Sequence, residues 1–293
     1  MKQIIECVPN FSEGQNTKTI AEIADAIKQT SGVQLLHITS DPDHNRTVMT
    51  FIGEPKPVIT AAFAAIETAS KLIDLNQHQG VHPRIGATDV CPLVPLKNIS
   101  IEECNEYAEE LAQKVANELY IPIYLYESSA KTPVRKLLAN IRQGNYEGLK
   151  TKIQERKPDF GPSKLGPAGA TVIGVRKILI AYNINLESTD LKIAQAIAKK
   201  LREKDGGLKS IRALGLTINQ KNCVQVSCNI TDYNITRPRQ VFDFVAQEAA
   251  KHHIQIRESE LIGLIPKAAL TIEDRTYLKF SAPIESQILE EYY

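Results

Sequence analysis

Apolar residues recur along this chain first every second position, then every third or fourth, in the order β, α, β, β, α, β, and the series occurs twice. In the first half "QIIECV" (3–8) reads as a strand and "TIAEIADAIKQT" (19–30) as a helix. Two strands, "VQLLHIT" (33–39) and "TVMTFIG" (47–53), flank a polar turn, and "PVITAAFAAIETASKLI" (57–73) is an Ala-rich helix. A strand near "TDVCPLVPL" (88–96), a helix over 100–119 and the strand "PIYLY" (122–126) complete this half. In the second half a strand in "TVIGVRKILIAYNINL" (171–186) precedes a helix over 189–204. The strands 211–218 and 223–230, a helix over 239–252 and the strand 254–259 follow.

The spacing predicts an α/β (α+β) chain of two ferredoxin-like βαββαβ subdomains. Helices would lie on the outer faces, with a ligand cleft between the sheets. Residues 143–170, rich in Gly, Pro and charge, mark the junction. We place the subdomains at residues 1–160 and 161–293.

Length and charge limit the function. The 293 residues supply core enough for two domains. The 35 Lys plus Arg balance 34 Asp plus Glu, so no field draws the chain to nucleic acid or an anionic membrane, and a small-molecule ligand is expected. No Trp and 6% aromatic residues argue against a base-stacking platform. Five scattered cysteines without CxxC spacing suit a reducing compartment. Residues 1–10 lack the apolar core of a signal peptide and no run approaches a membrane span, so the expected location is the cytoplasm.

Four stretches carry chemistry. In "HQGVHPRIGATDV", His78 and His82 stand four apart, but Gly80 and Pro83 oppose the helix that a two-histidine metal site needs, and no metal is expected. "HPRIG" packs an imidazole, a guanidinium and a Gly into a Pro-stiffened loop, a mixture suited to binding or proton transfer. "DPDHNRTV" is either a polar hairpin turn or, through Asn45 and Arg46, a donor set for an anion. In "VPNFSEG", Ser12 and Glu13 are placed to cap the next helix, or Asn10 and the turn amides to hold a carboxylate. "GPSKLGPAGA" (161–170) is a linker or a ligand contact, and matches neither phosphate-loop spacing nor GxGxxG.

Taken together, "ECVPNFSEG", "DHNRTVMTFIG", "LIDLNQHQGVHPRIGATDVCPLVP", "PIYLYE", "PDFGPS", "GATVIGVRKILIAYNINL" and "QVSCNITDY" resemble the glutamate formiminotransferase family, including the transferase part of formiminotransferase cyclodeaminases, over residues 3 to 285. The resemblance implies transfer of a formimino group from N-formimino-L-glutamate to N5 of the co-substrate tetrahydrofolate, a step of histidine breakdown, by a homodimer. It puts the catalytic histidine on His82 and the folate-contacting loop on Gly161, Pro162, Ser163, Lys164, Leu165, Gly166, Pro167, Ala168 and Gly169. Asn10, Asn45, Arg46 and Arg84 fall on segments that line the family's substrate site. Where members often carry an Asp this chain has Thr39, so Asp41 takes that role or none does. The chain stops near the end of the transferase region, so a separate cyclodeaminase would act downstream. Formyl transfer between glutamate and 5-formyltetrahydrofolate and non-catalytic folate binding are the competing readings.

Overall fold

Val8 and Pro9 interrupt the first strand, because Pro9 offers no N–H to a ladder. The computed structural model, which describes residues 2–293, accordingly splits it into β1 (Ile4–Cys7) and β2 (Asn10–Phe11), and both pieces pair antiparallel with the same two neighbours. Helix α1 (Thr17–Lys28) starts where the Asn16 side chain accepts the N–H groups of Lys18 and Thr19. Asn16 is thus the cap; Glu13 instead accepts the N–H groups of Gln15 and Asn16, and Ser12 donates to the Gly86 carbonyl.

The hairpin β3 (Val33–Asp41) and β4 (Arg46–Gly53), helix α2 (Pro55–Leu72) and strand β5 (Thr88–Lys97) follow. Ile23, Ala24 and Ile27 of α1 and Val58, Ala62, Ala65, Ile66 and Ala69 of α2 form the buried stripes that pack with Ile5, Phe51 and Leu93 of the strands. The strands lie in the order β5, β1/β2, β4, β3, all antiparallel, which is the ferredoxin-like arrangement. Helix α3 (Ile101–Leu119), opened by a reciprocal Ser100–Glu103 cap, leads to β6 (Ile123–Glu127). Two short helices, α4 (Leu138–Ile141) and α5 (Asn145–Lys152), precede β7 (Thr171–Val175).

Strand β7 alters the expected boundary. It lies between β5 and β6, parallel to both, and all five of its residues are buried. A strand walled by neighbours on both sides needs a continuous apolar run, which "TVIGV" supplies. The first compact unit therefore reaches Arg176, and residues 161–176 belong to it rather than to the second. The single strand expected over 171–186 is two strands in different sheets, parted by the polar pair Arg176 and Lys177.

The second unit, Lys177–Tyr293, repeats the series. Strand β8 (Ile180–Leu186), helix α6 (Leu191–Leu201), strands β9 (Ile211–Ile218) and β10 (Cys223–Ile230), helix α7 (Pro238–Ala250) and strand β11 (Ile256–Ile262) form an antiparallel sheet in the order β11, β8, β10, β9. A last short helix, α8 (Asp274–Tyr277), follows. Its core is separate, built on Tyr182, Ile184, Ile197, Val226 and Val245.

Candidate acid–base site

Residues 73–87, between α2 and β5, form an irregular loop that lies against the β3–β4 turn. A Cβ on Gly80 would stand 2.5 Å from the His44 carbonyl oxygen, so only glycine lets the two backbones approach this closely. Asn45, held in the left-handed region at φ 46, fastens them together. Its Nδ2 donates to the Gln79 carbonyl at 2.7 Å and its Oδ1 accepts the Gly14 N–H at 2.8 Å. Its own carbonyl accepts from His78 Nε2 at 3.0 Å. Asn45 thus clamps three loops with both ends of its side chain engaged.

His78 and Arg84 form a second engaged set. Arg84, buried, donates through Nε to His78 Nδ1 at 3.1 Å and holds the Glu147 carboxylate by two bonds of 3.0 and 2.7 Å. With a further bond to the His78 carbonyl, all three guanidinium nitrogens are used. His78 is a neutral ring with both nitrogens committed, and burial holds its pKa below the usual value.

His82 differs. Its half-buried ring donates from Nδ1 to the Pro83 carbonyl at 2.8 Å, since a carbonyl only accepts, which leaves the lone pair on Nε2. Burial, then the charges of Arg46 and Arg142, hold the imidazole well below its ordinary 6.5, while Asp89 and the Pro83 carbonyl oppose them in part. His82 is a neutral base at neutral pH.

Those three charges are one cluster. Asp89, in β5 and fully buried, accepts the Ile85 N–H at 2.9 Å on one oxygen, and Arg46 Nη1 at 2.9 Å together with Arg142 Nη2 on the other. Burial alone would raise this carboxyl, yet Arg142 and Arg46 hold it well below the usual range. Burial also brings Arg46 down to about 10, with Asp89 working the other way. Arg46 Nε reaches Asn10 Oδ1 at 3.2 Å, whereas the buried Nε of Arg142 meets no partner among the described residues. Two guanidiniums face one carboxylate here, so the cluster carries surplus positive charge.

The loop 161–169 is tied to the same place by its backbone. Ala87 N–H donates to the Ala168 carbonyl, Ala170 N–H to the Ile85 carbonyl and Leu75 N–H to the Pro167 carbonyl, at 2.8, 2.9 and 2.8 Å. Gly169, at φ 70, touches this backbone so closely that a Cβ would lie 2.2 Å from the Ile85 oxygen. Lys164 is exposed and Leu165 buried. Thr39 bonds to His37 Nδ1 and Asp41 to the His44 N–H. Asp89, whose oxygens serve Ile85, Arg46 and Arg142, acts on His82 only through its charge, opposing the two guanidiniums.

The structure brings His82, Arg46 and Asn10 together with Asp89 and Arg142, which the sequence reading did not name, sets His44 beside His82, and engages Arg84 and Asn45 with other groups of the protein. An acid inside the apolar run "DVCPLVPL" is an unusual burial, and was a usable signal for Asp89. Arg142, from the end of α4, had none.

Fold and site together define a two-unit α/β protein whose first unit groups His82 with Arg46, Asp89 and Arg142. Residues 4–176 match the N-terminal subdomain of the formiminotransferase domain, and residues 181–291 match the formiminotransferase domain. The chain is 44% identical over 291 residues to a glutamate formimidoyltransferase of Thermoplasma acidophilum, covering 98% of this chain and 96% of that protein. A glutamate formimidoyltransferase of Streptococcus pyogenes is 40% identical over 296 residues, with 100% and 99% covered. The formimidoyltransferase-cyclodeaminase of Mus musculus is 46% identical over 279 residues, and the chain spans 51% of its length. The chain belongs to the formiminotransferase family.

Proposed function

We propose that this chain transfers the formimino group of N-formimino-L-glutamate to N5 of tetrahydrofolate, giving 5-formiminotetrahydrofolate and L-glutamate. Two relatives matched over almost their whole length are named for this chemistry. The observation that carries the reading is a neutral His82 with its Nε2 lone pair unbonded, beside surplus guanidinium charge.

The donor's amidine carbon is electrophilic when protonated. As N5 adds, His82 Nε2 takes the N5 proton; glutamate then leaves as an amine, which requires a proton on its nitrogen. General acid–base catalysis of this kind contributes typically about 10² to 10⁴ in rate. The donor carboxylates suit Arg46 and Arg142, whose charge exceeds that of Asp89, better than Arg84, whose nitrogens are spent on Glu147 and His78. Lys164 and the 161–169 backbone fit the folate. We further propose a cytoplasmic homodimer in histidine breakdown, with a separate cyclodeaminase taking its product.

The test is the absorbance of 5-formiminotetrahydrofolate with formiminoglutamate and its formyl analogue side by side. Turnover of the formimino donor is expected, and His82→Ala should lower kcat about 10² to 10⁴-fold with folate affinity kept. A variant with wild-type turnover removes His82 from the mechanism, and a preference for the formyl donor replaces the substrate.

A further inference from the structure

We infer that Glu258 and Glu260, on the open face of the second unit's sheet, bind the amino-pyrimidinone edge of the pterin ring of tetrahydrofolate. The inference rests on the formimino-transfer reading, which makes that folate a substrate. Ile184 and Leu186 of β8 and Val224 and Val226 of β10 point into the core, so their alternates share the opposite face. The ladder register aligns Glu258, Asn185, Gln225 and Leu216 in one row across all four strands. Glu260, Asn183, Ser227 and Leu214 form the next row. A sheet face that packs on another layer is apolar, and a solvated one is polar and exposed. Asn183, Asn185 and Gln225 are polar yet enclosed, at 6%, 0% and 1% exposure.

These rows orient the two carboxylates. Asn185 Nδ2 donates to Oε1 of Glu258 at 3.0 Å and to Oε1 of Glu260 at 2.9 Å, while its Oδ1 accepts Gln225 Nε2 at 2.9 Å. Lys221 Nζ, from the turn between β9 and β10, donates to the same two Oε1 atoms. Each carboxylate is thereby fixed through one oxygen, and the other is open. Glu258 Oε2 has no partner among the described residues, and Glu260 Oε2 has only a 3.4 Å contact from Gln225. The two side chains keep 26% and 17% of their surface, so a ligand reaches them. Behind them Gln225 Oε1 is buried without a partner among the described residues, which leaves the network one donor short.

Open carboxylate oxygens call for a ligand edge of adjacent N–H donors. In a pterin, N3–H and the 2-amino group stand parallel on one N–C–N unit, the geometry by which a guanidinium engages a carboxylate with two bonds. The second amino hydrogen is left for the neighbouring carboxylate. Burial pushes the Glu258 carboxyl up, but the bonds from Lys221 and Asn185 hold it below its ordinary 4.5, so it is an ionised acceptor at neutral pH. Leu214, 44% exposed, and the half-buried Leu216 end the two rows and offer the ring an apolar surface. The formimino donor carries two carboxylates, and like charges set against Glu258 and Glu260 disfavour it here, whereas the pterin edge is uncharged.

Isothermal titration calorimetry of the purified chain with 5-formyltetrahydrofolate and with its 2-desamino-2-methyl analogue tests this. Glu258→Gln and Glu260→Gln each keep an oxygen for Asn185 and Lys221 but lose the charged acceptor. Wild type should bind the analogue at least about tenfold more weakly than the parent folate. Each variant should weaken the parent by at least about tenfold and the analogue by less than about threefold, with KM for formiminoglutamate within about threefold of wild type. Wild-type affinity for the parent in either variant overturns the inference, as do equal losses for both ligands, a wild type indifferent to the missing amino group, or a loss carried by KM for formiminoglutamate. A wild type that binds the folate but forms no 5-formiminotetrahydrofolate overturns the transfer reading and not the site, and one that binds no folate overturns both.

Discussion

Asp89→Asn leaves the packing of β5 unchanged and keeps an oxygen for the Ile85 N–H, but removes the charge that faces Arg46 and Arg142. The magnitude follows from burial. Asp89 is fully enclosed, Arg46 and Arg142 nearly so, and breaking such a pair by neutralising one partner costs about 3 to 5 kcal/mol. For a unit of this size each kcal/mol moves Tm by about 2 to 4 °C, so a loss on the order of 10 °C is expected. Because the chain has no Trp, calorimetry or far-ultraviolet circular dichroism is the suitable probe.

A second variant sharpens the prediction. Arg142→Gln relieves the like-charge contact with Arg46, so the double variant should lose less than the sum of the single losses, by about 1 kcal/mol or more. The two single variants should also move His82 in opposite directions. Asp89 raises the imidazole pKa and Arg142 lowers it. The acid limb of kcat/KM should therefore shift to lower pH in Asp89→Asn and to higher pH in Arg142→Gln. Additive stabilities, a Tm within about 2 °C of wild type, or limbs that move together would refute the charge cluster as the setting of His82.

Glu6, buried in β1, has its carboxyl pushed up to about 7 by burial, with Arg176 opposing. A folded pKa above the ordinary 4.5 means that its contribution to stability is complete below about pH 4.5 and is lost as pH rises through about 7. Glu6→Gln should match wild type in urea unfolding near pH 4 and exceed it above about pH 8 by up to about 3 kcal/mol; equal curves at both pH values would refute this. A Cβ at Gly86 would lie 1.9 Å from the Ala170 carbonyl oxygen, so Gly86→Ala must displace the start of β7. A loss of about 1 to 3 kcal/mol is expected in the urea midpoint, and an unchanged midpoint would contradict the close approach.

The order of strands and helices was legible because apolar periodicity is local, and each run states its own period. Which sheet a run joins is not local. "TVIGVRKILIAYNINL" is one apolar stretch with a two-residue polar break, and nothing in it says that Thr171–Val175 lies between β5 and β6 while Ile180–Leu186 lies beside β10. The site divides in the same way. "HPRIG" marked His82 as a candidate by its own composition, whereas Asp89 and Arg142 gain their meaning from contacts between residues distant in sequence.

The arginines make the point most fully. Arg46 and Arg84 are alike in the sequence, each two residues after a histidine, and both are candidates for a substrate carboxylate on that footing. The fold separates them by charge balance: Arg84 is matched by Glu147 and fully hydrogen-bonded, while Arg46 shares one carboxylate with Arg142. A buried group with surplus positive charge lowers a neighbouring imidazole's pKa and attracts an anion at once. A dicarboxylate donor bound there would offset the surplus and ease protonation of His82, so donor binding and proton acceptance are coupled through the same two guanidiniums.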